Sequence, residues 1–370
     1  MTAGASQTVN LRTLLEEMIE RDASDLHIVA GERPKLRVDG DIVNSSAEAV
    51  LTPKDTLSIA YSVLTENQKK RFEIENELDF SFGIQNLARF RGNCFKQRGC
   101  VSLVIRQIPF NVRTFEELGL PGVVAKLAER PRGLVLVTGP TGSGKTTTLA
   151  AMIGHINRTR ECHVVTIEDP IEIVHRDEMA EISQREIGFD THDFATAMRS
   201  AMRQDPDVIL VGEMRDQETV HAALTAAETG HLVLSTLHTI DSTETINRIV
   251  DFFPPYQQSQ VRVALAGSIK GTICQRLVPT VDGRGRVPAL EVMVGNGRIQ
   301  QCIVDPGRTG DIREIIADGE YYGMQTFDQS LSRLYEQGLI DLRGALVAAS
   351  NPHDLKVMLQ QRGLVGTGAR

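Results

Sequence analysis

GLVLVTGPTGSGKTTTLAAMIGHI, residues 133–156, constrains the fold more than any other stretch of this 370-residue chain. It opens with a short apolar run, the form taken by a parallel strand buried on both faces. It closes with Leu149, Met152, Ile153 and Ile156 at i, i+3, i+4 and i+7, one face of a helix. Between them GPTGSGKT at 139–146 fulfils the pattern GxxxxGK[ST], with a strand before it and a helix after it, as that pattern requires. Gly139, Gly142 and Gly144 let the backbone curl until its N–H groups face the β-phosphate of a nucleotide, and the positive end of the helix adds to the attraction. Pro140, Thr141 and Ser143 complete the loop. Lys145 can reach the β- and γ-phosphates, Thr146 offers a hydroxyl to Mg²⁺, and Thr147 follows it into the first turn. The motif predicts binding of ATP with magnesium. It does not say what the energy is used for.

ECHVVTIEDP, PDVILVGE and GHLVLSTLH are three further short apolar runs ending in polar residues, with helical patterns such as FATAMRSAMRQ between them. This alternation predicts a parallel sheet flanked by helices, an α/β architecture. Hydrolysis needs a carboxylate to position or deprotonate water, and magnesium needs a second anchor. Doubly wound sheets place such groups at the carboxyl ends of strands. TIEDP supplies Glu168 and Asp169 there, and VILVGE supplies Glu213. Gly212 stands where many phosphate-loop enzymes carry an aspartate, so Glu213 is expected to hold the metal through water. Glu168 then becomes the better candidate for the base. His231 and His238 bracket the third run, and an odd separation of seven puts their rings on opposite faces of a regular strand.

Residues 1–108 read as a separate α+β domain. Leu11, Leu14, Leu15, Met18 and Ile19 fall on one helical face. DLHIVAGERPKLRVDGDIV then reads as strands joined by turns, with Asp39-Gly40 the tightest. Thr52-Pro53 begins a second helix expected to run to about Arg71, before the β-rich stretch from Leu78 to Pro109. Residues 109–120 read as a linker, and 121–370 as the phosphate-loop domain. Beyond about residue 258 the pattern reads as mostly helical, with Leu265, Ile269 and Ile273 as one stripe and Met324, Phe327, Leu331 and Leu334 as another. Asn351-Pro352 starts a last helix that Gly363 ends.

A net charge of −8 counts against nucleic acid as a partner, and hence against a DNA translocase. No apolar run is long enough to span a membrane and no secretory signal is apparent. Five cysteines, none spaced CxxC, predict neither a disulfide framework nor a structural zinc site, and a cytoplasmic location fits.

GPTGSGKTTT, TIEDPIE, QDPDVILVGEMRD and TAAETGHLVLSTLHT together resemble the pilus-retraction (PilT-type) branch of the secretion ATPases, from SDLHI at 24–28 to about residue 350. That resemblance implies a PAS-like N-terminal domain followed by a RecA-like ATPase domain with a helical C-terminal region, assembled as a homohexamer. It implies that His231 and His238 lie near the nucleotide and relay the γ-phosphate state to the next subunit. ARFRGN and VIRQIP match segments that carry arginines of the N-terminal domain, pointing to Arg91 and Arg106 as groups that close the site over the γ-phosphate. Arg199 and Arg203, i and i+4, match further family arginines. DIREIIAD at 311–318 keeps Ile312, Arg313 and Ile316 of a C-terminal motif tied to retraction but replaces its later Arg-Glu by Ala317-Asp318. The partners implied are an inner-membrane pilus platform protein and a paralogous retraction ATPase, with the chain peripheral to the inner membrane at the pilus base. Pilus extension and type II secretion ATPases are the nearest alternatives. They usually carry a longer N-terminal region and a four-cysteine zinc insertion, which this sequence does not match. A weakly hydrolysing regulatory subunit is the alternative of a different kind, and retention of Lys145, Glu168 and Glu213 argues against it.

Overall fold

A computed structural model of the chain describes residues 9–365 except 86, 109 and 111. The chain divides into two compact units, Met1–Asn111 with Glu172–Val174, and Val112–Ile171 with His175–Arg370.

In the first unit, α1 (Leu11–Glu20) is followed by β1 (Asp25–Ile28), β2 (Lys35–Val38) and β3 (Asp41–Asn44). Asp39 and Gly40 form the turn between β2 and β3, both at positive φ (51° and 94°), as a two-residue hairpin of this hand demands. The expected single helix from Thr52 to Arg71 is two, α2 (Pro53–Val63) and α3 (Glu66–Glu75). Thr65 explains the break. Its hydroxyl accepts from the Gln68 N–H while the Gln68 side chain accepts from the Thr65 N–H, a reciprocal cap that starts a new helix. Three long strands complete the unit: β4 (Glu77–Ile84), β5 (Ala88–Gln97) and β6 (Cys100–Ile108). The antiparallel sheet runs β3-β2-β1-β6-β5-β4. Phe72, Phe80, Phe90, Leu15 and Met18 are buried on its inner face.

The second unit contains α4 (Val123–Ala128), β7 (Gly133–Thr138), α5 (Lys145–Thr159), β8 (His163–Glu168), β9 (Glu181–Glu186), α6 (Phe194–Ala201) and β10 (Val208–Val211). It continues through α7 (Gln217–Glu228), β11 (Leu232–Leu237), α8 (Ser242–Asp251), α9 (Pro255–Ser268), β12 (Ile269–Pro279) and β13 (Arg286–Val294). Then come α10 (Gly297–Val304), α11 (Ile312–Ala317), α12 (Phe327–Glu336), α13 (Leu342–Ala348) and α14 (Pro352–Gln361). The sheet order is β13-β12-β7-β11-β10-β8-β9, parallel except for the β12–β13 hairpin. β7, β10 and β11 are buried at every position, as a sheet covered on both faces requires. Each fully buried valine, leucine or isoleucine there contributes about 1.5–3 kcal/mol.

One expectation for this region is corrected. The residues from 258 onward are not continuously helical, because α9 ends at Ser268 and Ile269 and Ile273 lie in β12, an inner strand paired to β7. The helical C-terminal region begins after β13. Within the 109–120 segment read as a linker, Phe115 and Leu120 are buried in the core of the second unit, and residues 109 and 111 lie outside the described residues.

Candidate nucleotide site

The phosphate loop joins β7 to α5. Gly139, Gly142 and Gly144 have φ of 144°, 77° and 89°, values open to glycine and strained for side chains with a Cβ. Gly144 is the N-cap of α5, with no side chain bonded to the first-turn N–H groups. The helices α6, α7 and α8 each carry an aspartate in that role, Asp193, Asp216 and Asp241. The start of α5 therefore presents unsatisfied donors at the positive end of a 15-residue helix, the physical requirement for gripping a phosphate. Lys145 Nζ donates to the carbonyls of Gly139 at 2.8 Å and Pro140 at 3.1 Å, within its own loop. Thr141 is exposed, Thr146 and Thr147 are half-buried on the first turn, and Ser143 is buried.

Parallel registry sets what stands beside the loop. Thr138, the last residue of β7, pairs with Leu237 of β11, so His238 follows at the same edge. Val211 of β10 pairs with Ser235 of β11 and with Ile167 of β8, which brings Glu213 and Glu168 to that edge as well. Glu213 is held on both oxygens: Arg215 Nη2 lies 2.8 Å from Oε2, and His238 Nε2 lies 3.1 Å from Oε1. Glu168 Oε1 accepts from the Thr166 hydroxyl at 2.6 Å and from Gln184 Nε2 at 3.0 Å. Gly212 has a steric reason. A Cβ there would stand 3.2 Å from the Ile167 carbonyl and 3.4 Å from the Glu168 Cα, so an aspartate at this position would press on the end of β8.

The structure separates other expected members. His231 precedes β11, and its carbonyl accepts from the Gly133 N–H at the opposite end of the sheet from the loop. Six residues of strand at about 3.3 Å each place it about 20 Å from the phosphate loop of its own chain. Its ring binds the carbonyl of Ala226 through Nδ1 at 3.0 Å, tying α7 to β11. Arg203 lies beyond the end of α6, so it does not share a helical face with Arg199, which pairs with Glu218 at 3.4 Å. In α11 the isoleucines Ile312, Ile315 and Ile316 are buried, and Arg313 Nη2 stands 3.8 Å from Asp328 Oδ2.

Arg91 and Arg106 belong to the first unit, where they are directly opposed across β5 and β6. Arg106 Nε and Nη2 both stand 2.9 Å from Oδ1 of Asp25, a nearly buried carboxylate on β1. Burial pushes Asp25 upward, but bonds from Arg106 and Ser24 outweigh it and hold the group below the ordinary aspartate value. Arg91 is exposed and makes no side-chain hydrogen bond or ion pair among the described residues.

Gln275 was not recognisable as part of the site from sequence. It lies on β12, is buried, donates through Nε2 to the Ser143 carbonyl at 2.7 Å, and accepts at Oε1 from the Thr148 hydroxyl at 2.8 Å. No local spacing links it to a loop some 130 residues earlier; only the pairing of β12 with β7 does.

The family model described as "Type II/IV secretion system protein" matches residues 4–319. The chain is 45% identical over 346 residues to the type IV pilus retractation ATPase PilT of Pseudomonas aeruginosa, covering 94% of this chain and all of that protein. It is 40% identical over 347 residues to the type IV pilus ATPase PilU of the same organism, covering 94% and 90%. A crystal structure of the pilus retraction motor PilT with bound ADP superposes with a TM-score of 0.87 at 46% identity, covering 95% of this chain and all of that one.

Proposed function

The chain belongs to the type II/IV secretion system protein family, and we propose that it is the ATP-driven motor of type IV pilus retraction. Its reaction is hydrolysis of ATP to ADP and phosphate. The observation that carries this reading is the shared edge at which β7, β11, β10 and β8 end in the phosphate loop, His238, Glu213 and Glu168.

ATP enters with its β-phosphate against the N–H groups of residues 142–146 and the start of α5. Lys145 exchanges its bonds to the Gly139 and Pro140 carbonyls for phosphate oxygens. Magnesium fits the donors present, the Thr146 hydroxyl with the Glu213 carboxylate behind a water, because all are hard oxygens. When bound, it neutralises charge on the β- and γ-phosphates. Glu168 orients the attacking water. Its bonds from Thr166 and Gln184 fix the carboxylate plane. His238 senses the γ-phosphate through Glu213, and Arg91, exposed on β5, is the candidate arginine for that phosphate in the assembled ring. Six copies form a ring in which binding and release of nucleotide close and reopen the domains in turn. The ring acts on an inner-membrane pilus platform protein, alongside a paralogous retraction ATPase. Among the described residues no helix is long and apolar enough to cross a membrane; on this reading that partner holds the chain at the pilus base.

Purified protein given magnesium and ATP should release phosphate, and Lys145→Ala should abolish nucleotide binding by calorimetry. In a piliated host, deletion should leave cells hyperpiliated and immobile. Loss of pili would instead assign the chain to assembly.

A further inference from the structure

We infer that Gln275 is a positioning residue for the phosphate loop, an inference that rests on reading the loop as the nucleotide site. One buried carboxamide satisfies two elements at once, the Ser143 carbonyl at 2.7 Å and the Thr148 hydroxyl at 2.8 Å. A trans peptide is planar, with its C=O and N–H pointing in opposite directions. Drawing the Ser143 carbonyl toward β12 therefore aims the Gly144 N–H to the opposite side, away from β12. Gln275 sets the direction of a donor that belongs to the phosphate cradle, without touching the ligand.

The glycine pattern of the loop carries the same mark. A Cβ on Gly144 would lie 2.7 Å from Gln275 Nε2. A Cβ on Gly139 would collide with the Gln275 backbone carbonyl and lie 2.6 Å from Ser143 Oγ. A Cβ on Gly142 would meet nothing within 4 Å, so that glycine answers only to its φ of 77°. Both outer glycines are thus required by the approach of β12 as well as by backbone conformation. Gln275 is buried with its amide nitrogen bonded to Ser143 and its oxygen to Thr148, so it acts on the loop and not on the reacting groups. Its loss should weaken binding of ATP and of the transition state alike, raising KM and leaving kcat.

The test uses the full chain with Gln275→Leu and with Thr148→Val, which removes one of the two bonds and keeps the side-chain shape. Calorimetry with magnesium and ADP gives Kd, steady-state hydrolysis gives KM and kcat, and thermal melting controls for the fold. Gln275→Leu should raise Kd and KM about tenfold with kcat within about twofold, and Thr148→Val about threefold in the same direction. A lower melting temperature with reduced kcat and unchanged Kd and KM would mean a merely structural role and overturn the inference. If Gln275→Leu does not fold, Thr148→Val decides by the same criterion. Absence of ADP binding by the unmodified chain would refute the nucleotide-site reading instead. Equal ADP binding by the unmodified chain and a folded variant would refute only the role of Gln275.

Discussion

His238 places Nε2 3.1 Å from Oε1 of Glu213, joining the ends of β11 and β10 beside the phosphate loop. The ring is exposed on its outer side, so it can answer to a ligand while holding the carboxylate. His238→Ala should therefore keep ADP affinity and lower phosphate release about 10- to 100-fold. Unaltered turnover in that variant would remove His238 from the chemistry.

Glu168 and Glu213 can be told apart by metal dependence. If Glu213 acts through magnesium, Glu213→Gln should lower turnover and also raise the magnesium concentration for half-maximal rate. Glu168→Gln should lower kcat about 100-fold or more with that concentration unchanged. The reverse pattern in a magnesium titration would exchange the two roles.

Arg91 and Arg106 face each other across β5 and β6, and on the proposed reading their removal should have different effects. Removing Arg106 leaves Asp25 buried without its nearest cationic partner, at a cost of about 1–2 kcal/mol, modest because the Arg106 side chain is itself 70% exposed. Arg106→Ala should lower the melting temperature by about 2–8 °C. Arg91→Ala should leave it unchanged and reduce ATP turnover. Equal thermal effects would mean that both arginines serve structure.

Gly212 departs from the aspartate common at its position because the end of β8 lies against it. Gly212→Asp should cost about 1–3 kcal/mol through overpacking and give no gain in turnover. A stable variant with faster hydrolysis would show that the close approach to Ile167 yields readily.

The legible parts of this chain were those whose constraints are local. The phosphate loop needs glycine at fixed offsets between one strand and one helix, so residues 133–156 declared themselves. The α/β alternation was equally plain in VVTIE, VILV and LVLSTL, because doubly covered strands are apolar throughout. Ile269 and Ile273 misled because a spacing of four suits a helix face, whereas in β12 they pair with Leu134 and Val137 across a register shift that no local spacing signals. The break at Thr65 was signalled by the Thr65–Gln68 capping box but lay inside a run of good helix formers. Gln275 was hidden for another reason. Its place beside the loop follows from strand order and register, which only the assembled sheet specifies.

Glu291 offers a pH-dependent check on how β13 supports the loop after His238. It is almost fully buried, and Oε1 accepts from the Ser242 N–H at 2.8 Å, fixing the first residue of α8. Burial raises its pKa, and Asp241 adds to the rise; bonds from Ser242 and the charge of Arg276 oppose it without cancelling it. For a group whose folded pKa is raised, the associated stability is fully present below the unfolded value. It is lost as pH climbs through the folded value. Glu291→Gln keeps the acceptor for Ser242 and removes the ionisation. The melting temperature of Glu291→Gln relative to the unmodified chain should therefore rise from about pH 4 toward neutrality, where the native carboxyl is driven to ionise in its buried setting. A difference that stays flat across that range would mean that the charge on Glu291 is accommodated at no cost.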